Sequence, residues 1–222
     1  MAEEISMRAI GAVESCFGEK FGTPRQSGIV PEARGRIVFN DDVGPGACRG
    51  LEEFSHVWLV FLFDQVDETE VRWLVRPPRL GGNEKKGVFA TRSPFRPNRI
   101  GLSLVKLESV GDGFLEVSGL DIVNGTPVLD VKPYIPFVES IANARGGFAE
   151  EAPPTLEVEF PEEMLSELDE REIQLIKETL ASDPRPAYHD DPDRVYGCQL
   201  AGRNVQWRVV DGRVMVLGSN SQ

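Results

Sequence analysis

Short apolar runs alternate with Gly- and Pro-rich breaks through the first 120 residues of the chain. Residues 5–13, 35–39, 57–63, 71–75, 88–91, 102–110 and 114–118 are rich in Val, Ile, Leu and Phe, and each is bounded by turn formers. Such runs read as strands. No long segment of helical periodicity separates them, so the crossover helices of a parallel sheet are missing and an antiparallel domain is predicted. Closure into a barrel removes the sheet edges that this many short strands would otherwise expose.

Residues 146–156, GGFAEEAPPTL, collect glycines, acids and paired prolines, the composition of a boundary between units. Beyond it, residues 162–181 place Leu165, Leu168, Leu175, Ile176, Thr179 and Leu180 near helical spacing, with Glu and Asp between them. That spacing predicts one amphipathic helix, ended by Asp183-Pro184. VYGCQL, NVQWRVV and RVMVLG then read as strands, the last two joined at Asp211-Gly212, a strong hairpin signal. The expected fold is mainly β: a single antiparallel β-barrel over residues 1–149 and a small α+β C-terminal domain over residues 150–222.

Composition narrows the class. With 222 residues, 41% of them hydrophobic and 27% charged, the chain can bury a core and lies far from disordered sequences. Cys16, Cys48 and Cys198 are odd in number and far apart with no CxxC pair, so buried free thiols are expected and neither a disulfide framework nor a zinc knuckle is. His56 and His189 are the two histidines, which argues against a catalytic triad or a histidine-rich metal site; no metal is expected. The N terminus lacks a basic segment followed by an apolar one, and the longest apolar run, VWLVFLF, is far short of the ~20 residues that span a bilayer. A cytoplasmic protein without a membrane partner is predicted.

The net charge of −12 is segregated. Residues 71–106 hold nine basic side chains (Arg72, Arg76, Arg79, Lys85, Lys86, Arg92, Arg96, Arg99 and Lys106) against Glu84, a local charge of +8. Residues 150–193 carry fifteen acids and three bases. An acidic protein that gathers its arginines among Pro77, Pro78, Pro94 and Pro97 presents them on stiff backbone, the geometry that phosphate or carboxylate recognition needs. Gly81-Gly82 suits either a close approach to a ligand or a plain turn. VLDVKPY has the look of the first strand of a dinucleotide-binding sheet, but the glycine triad that should follow is absent, and a doubly wound fold is disfavoured.

The segments PRQSGIVPEARGRI, RGLEEFSHVWLVFLF, VRPPRLGGNEKKGVFATRSPFRPNRIGLSLV and GLDIVNGTPVLDVKPYIPF, with DPRPAY and NVQWRV further on, resemble the TsaA-like (TrmO) family of tRNA methyltransferases. The resemblance implies an S-adenosylmethionine-dependent enzyme that methylates the N6 nitrogen of threonylcarbamoyladenosine beside the anticodon, chiefly in threonine tRNA. It also implies a β-barrel, a homodimer with the cofactor near its interface, and a small C-terminal domain.

Carried onto this sequence, the family pattern places Arg25, Gln26, Asp64, Gln65, Arg92, Leu104, Leu120, Asp121, Ile122 and Val123 at the cofactor. Asp64 stands where some relatives have a histidine. Arg92 can pair bidentately with the methionine carboxylate, and Leu104, Ile122 and Val123 can flank adenine or equally belong to the core. Removal of the acceptor nitrogen's proton suggests Asp130, Lys132 and Tyr134 as a catalytic group, Asp121 being a further candidate base. Arg72, Arg76, Lys85, Lys86, Arg96 and Arg99 are expected at tRNA phosphates or the threonyl carboxylate, and Arg185, Tyr188, Arg203 and Trp207 form a second candidate tRNA surface on the C-terminal domain. Two other readings stay open: a non-catalytic RNA-binding barrel in which Trp73, Phe89 and Phe95 stack on bases, and methyl transfer to another adenosine or to a small molecule.

Overall fold

Six strands close the barrel: β1 (Gly11–Ser15), β2 (Gly35–Phe39), β3 (His56–Leu62), β6 (Ile100–Val110), β7 (Phe114–Ser118) and β8 (Pro127–Pro133). They pair antiparallel in the order β1, β2, β7, β6, β3, β8, and β8 returns to β1. The computed structural model describes residues 4–77, 84–186, 189, 191–200 and 202–221. Period-two alternation fills the interior: β3 turns Val57, Leu59 and Phe61 inward, and β6 answers with Gly101, Ser103, Val105 and Leu107. Gly101 is required there, because a Cβ would lie 2.2 Å from the Phe61 ring.

The chain departs from the sequence pattern at four places. The run at 88–91 is a 3-10 turn, Val88–Ala90, since the Thr91 hydroxyl donates to the Val88 carbonyl at 2.8 Å and two prolines follow. The run at 71–75 shrinks to β4 (Leu74–Val75), paired with β5 (Lys86–Gly87). The run at 5–13 starts its ladder only at Gly11, leaving Ile5 and Met7 exposed. VLDVKPY supplies β8, the closing strand; proline at both ends and outward Asp130 and Lys132 disguise its alternation.

After β8 comes a short helix, α1 (Pro136–Glu139), then the C-terminal unit. Its sheet runs β10 (Tyr196–Leu200), β11 (Arg203–Val210), β12 (Arg213–Ser221), β9 (Glu157–Glu159), with β9 parallel to β12. The single helix expected over 162–181 is two, α2 (Glu162–Leu165) and α3 (Glu170–Ala181). Asp169 breaks them: its carboxylate accepts from the Arg171 and Glu172 amides at 2.8 Å, and Glu172 accepts from the Asp169 amide at 2.9 Å. A capping box of this kind starts a new helix.

Trp207 is fully buried and stacks on Tyr196 at 4.8 Å. The expectation that Trp207 meets RNA is therefore corrected: its ring forms the centre of the module's own core and has no face left for a base. Cys198 is buried as expected, whereas Cys16 and Cys48 are half-buried; burial pushes the Cys16 and Cys198 thiols up to about 11.

The apolar core runs without a break from the barrel into this module. The junction is the segment of residues 16–34 between β1 and β2. Phe21 stacks on Tyr196, Gly22 lies against Cys198, the Glu178 carboxylate accepts from the Glu32 amide at 2.9 Å, and the Glu19 carboxylate accepts from the Gln199 amide at 3.1 Å. Leu200, fully buried, sits at this seam. Leu200→Ala is expected to cost about 2–5 kcal/mol and to lower the melting temperature of the entire chain in one calorimetric transition. Two resolved transitions, with the barrel's unmoved, would show instead that the units fold separately.

Candidate active site

A cavity of about 460 Å³ opens on the outer face of the barrel. Its floor comes from outward positions of two paired strands, where His56 faces Lys106 and Trp58 faces Leu104. Ser27, Gly28 and Pro31 of the junction segment form one rim, Ser118 and Gly119 after β7 form another, and Arg92 closes the third side. The rims are tied by the Gly28 amide, which donates to the Gly119 carbonyl at 2.9 Å. Gly119 has φ 75°, a left-handed backbone conformation that favours glycine at this crossing.

Arg92 donates to the Gln26 side-chain oxygen at 2.5 Å and is otherwise exposed, so its guanidinium is aimed by one neutral partner and retains donors for an anion. Behind it lies Asp121. Ser103, the polar inward residue of β6, donates to the Asp121 carboxylate at 2.6 Å. Burial pushes the Asp121 carboxyl up to about 6, against the pull of the Ser103 hydroxyl, its own and the Ser27 amides, and the charge of Arg92. One buried carboxylate thus joins the barrel interior, the junction segment and Arg92.

Other residues expected at the cofactor are distributed differently. Leu104 lines the cavity, while Leu120 and Ile122 are buried in the core and Val123 makes the turn that Thr126 closes. Arg25 donates to the Arg185 carbonyl at 3.0 Å, pointing toward the C-terminal module. Asp64 and Gln65 follow the far end of β3, exposed, with Lys20 bonded to the Gln65 carbonyl, and neither lines the Arg92 cavity.

Asp130 and Lys132 lie on one outer face, as their spacing predicts, and pair at 2.8 Å. Lys132 sits opposite Trp58, whereas Asp130 lines a second cavity bounded by Phe39, Cys48, Leu51 and Phe54. Tyr134 packs edge-on to both His56 and Trp58, with ring centres 6.3 Å away in each case.

The basic block divides into outward and inward members. Arg72, Arg76 and Lys85 are exposed and Lys86 is half-buried, on or beside the β4–β5 ribbon. Arg96 turns inward and donates to the Val88 and Thr91 carbonyls at 3.4 and 3.3 Å; Arg99 donates to the Val66 carbonyl at 2.7 Å. Both arginines expected at RNA thus brace their own loops while part of each remains open to solvent. In the C-terminal module, Arg185 forks onto Asp183 at 2.8 and 3.0 Å, and Arg203 is held by Glu172. Tyr188, Arg79, Gly81 and Gly82 lie outside the described residues.

Sequence reasoning passed over His56, Trp58, Ser103 and Lys106. The alternation of FSHVWLVFLF holds the missing signal, because it puts His56 and Trp58 on the same outward face of a strand whose other face is apolar.

The tRNA-methyltransferase O N-terminal domain matches residues 12–140, and the TrmO C-terminal domain matches residues 153–221. The chain belongs to the tRNA-methyltransferase O family. It is 46% identical over 216 residues to the tRNA (adenine(37)-N6)-methyltransferase of Escherichia coli, covering 91% of this chain and 92% of that one. The tRNA (adenine(37)-N6)-methyltransferase of Eikenella corrodens is 48% identical over 167 residues, covering 73% of this chain and 95% of its own. A crystal structure of TrmO from Pseudomonas aeruginosa superposes with a TM-score of 0.81 at 38% identity, covering 99% of this chain and all of the other. The closed barrel described above is thus the family fold.

The Asp121 carboxyl makes a prediction whose sign is fixed. Its folded value is raised above the ordinary 3.8, so the native state holds the proton more tightly, and its contribution to stability is lost as pH rises from about 4 through about 6. The loss reaches about 3 kcal/mol at most. Asp121→Asn keeps an acceptor for Ser103 and removes the titration. The melting temperature of the variant, relative to the parent, is expected to climb by roughly 5–10 °C between pH 4 and pH 7; a constant difference across that range would show that the carboxyl does not titrate there.

Proposed function

We propose that this chain is an S-adenosylmethionine-dependent tRNA methyltransferase that modifies the N6 nitrogen of threonylcarbamoyladenosine at position 37, beside the anticodon. Membership of the TrmO family across both of its domains carries the reading, and the chemistry of the cavity supports it.

The donor set fits S-adenosylmethionine. Arg92, aimed by Gln26, offers two parallel N–H groups to the methionine carboxylate. Trp58 and Leu104 give an apolar wall for the adenine ring, and the glycine crossing at Gly28 and Gly119 lets backbone approach closely. Asp121, bonded to the Ser103 hydroxyl, adds a carboxyl whose charge is felt by Arg92. When bound, the cofactor supplies an electrophilic methyl group.

What remains for the protein is mostly orientation, since an in-line displacement at a methyl carbon is accelerated chiefly by holding nucleophile and methyl in register. The acceptor is a urea-type nitrogen whose lone pair is delocalised, so removal of its proton assists by about 10²–10⁴-fold. Lys132 and Tyr134, beside Trp58, and Asp130, which pairs with Lys132 from two residues back on β8, form the proposed group for that step. Lys106 on the cavity floor, paired with Glu108 at 3.1 Å and open to solvent, is a cation that the threonyl carboxylate can reach by exchange.

A homodimer completes the reading. Asp64 and Gln65 lie off the Arg92 cavity within one chain, and the segment after β8 exposes Phe137 at 90% together with Val138 and Ile141, an apolar patch suited to a second copy. Among the described residues no helix is long and apolar enough to cross a membrane; we place the enzyme in the cytoplasm, with its tRNA.

The test is methyl incorporation into threonine tRNA prepared with and without the threonylcarbamoyl group, at saturating cofactor, with nucleosides read by mass spectrometry. Methylation at position 37 of the modified tRNA is expected, and slower transfer without the threonylcarbamoyl group, because the anion that exchanges onto Lys106 is then missing. Equal rates would confine these cations to the RNA backbone, and no transfer to either tRNA would refute the activity. Arg92→Ala should abolish cofactor binding in calorimetric titration while the fold survives; unchanged affinity would remove Arg92 from the site.

A further inference from the structure

Three large apolar side chains stand exposed inside the basic block: Trp73 at 63%, Leu74 at 59% and Phe89 at 75%. The Trp73 and Phe89 rings meet edge to face with centres 6.3 Å apart and planes at 76°. Their backbones are locked together, since the Val88 amide donates to the Trp73 carbonyl at 3.0 Å. Val88 is buried beneath the 3-10 turn, while Thr91 and Arg96 bond to its carbonyl from below, so the turn is anchored through Val88 and throws Phe89 outward. A rigid mount of this kind presents aromatic surface at little cost in conformational entropy. Phe89 is three residues from Arg92 at the cavity rim, so no more than about 10 Å of backbone separates the two.

Cations surround the pair. Arg72 lies over the Phe95 ring at 4.0 Å and is paired with Glu70, and Lys86 is paired with Glu84 at 2.6 Å. Both are solvent-accessible ion pairs, worth at most about 1 kcal/mol each and readily exchanged for a phosphate. A surface for a second protein copy is depleted of charge at its centre, whereas here the aromatic faces sit within the part of the chain that carries +8. Exposed rings ringed by Arg and Lys suit a single-stranded nucleic acid, whose bases stack while its backbone follows the charge.

We propose that Trp73 and Phe89 form a stacking platform for an unpaired anticodon-loop base next to the target adenine, with Arg72 and Lys86 at its flanking phosphates. The proposal rests on the tRNA methyltransferase reading and names how that substrate is held. Phe95, half-buried and covered on one face by Arg72, takes no part in the stacking.

The experiment uses the full chain and a threonylcarbamoylated anticodon stem-loop carrying 2-aminopurine in place of the base on either side of the target. Stacking quenches 2-aminopurine, so the parent protein should quench one of the two probes. Trp73→Ala and Phe89→Ala should lose the quench and raise KM for tRNA by about 10- to 100-fold, with cofactor affinity unchanged. Trp73→Phe should restore most of both. Near-parental melting temperatures show that the variants fold, as expected for exposed positions. Quenching and KM unaffected in folded alanine variants, while the parent protein methylates tRNA, would overturn the platform and leave the activity standing. A shift from dimer to monomer in sedimentation, with KM unmoved, would assign the surface to a second copy. A parent protein that neither binds nor methylates the stem-loop would overturn both.

Discussion

The segment of residues 16–34 is held on two sides at once, and the rest of the molecule depends on that constraint. Toward the barrel, the Gly28 amide reaches the Gly119 carbonyl and the Ser27 amide reaches Asp121. Toward the C-terminal module, Phe21, Gly22 and Glu32 meet Tyr196, Cys198 and Glu178. A connection this long would by itself sample many conformations, and its loops would lose entropy only on binding. Clamping it in the free protein places Gln26 against Arg92 beforehand. The C-terminal module therefore contributes to the site without supplying a residue to the cavity wall: it is the outer jaw that orders the inner rim.

The arginine block obeys a division of labour that burial imposes. Arg96 and Arg99 carry their guanidinium groups to the Thr91 and Val66 carbonyls of loops that lack sheet partners. Five fixed donors on a planar head suit that task. Arg92, bonded to the neutral Gln26, and Arg72, stacked on Phe95 and paired with Glu70, stay at the surface. Positive sequence density is thus partly architecture, and its surplus is function. The same turn serves both ends, since Arg96 supports the carbonyl of Val88 while the next residue, Phe89, stands in solvent.

The sequence pattern predicted the strands that alternate cleanly, and β2 and β7 fall at the expected residues. It failed where tertiary contacts override local preference. Closing strand β8 was obscured because its outer face carries Asp130 and Lys132 and its inner face has a bulge opposite Val60 and Phe61. Asp169 divides the C-terminal helix although the apolar spacing runs on across it, because a capping box outweighs periodicity at one residue. At the site, Arg92, Gln26, Leu104 and Asp121 were legible through the family motifs, and the structure brings them to one cavity or just behind it. His56, Trp58 and Lys106 were not, since a lone histidine, a tryptophan and a lysine in strands carry no spacing signature until the register sets them opposite one another. Trp207 and Arg203 misled for the converse reason: an aromatic and a cation in a hairpin look the same in sequence whether they face water or the module's core.

Charge segregation acquires a physical role once the two surfaces are placed. Residues 150–193 hold fifteen acids against three bases, a local charge of −12, and residues 71–106 carry +8. A polyanion approaching such a dipolar molecule is repelled from one region and drawn to the other, over a range of about 8–10 Å at physiological salt. Local ion pairs such as Arg72 with Glu70 are too weak to cancel that field. The acidic module therefore narrows the orientations in which RNA can arrive, leaving the ribbon and the Arg92 rim as the favoured approach. A net charge of −12 is in this sense compatible with a nucleic-acid substrate. What matters for encounter is the arrangement of the charge, and the same acidic module also holds the segment that carries Ser27 and Gly28 to the cavity rim.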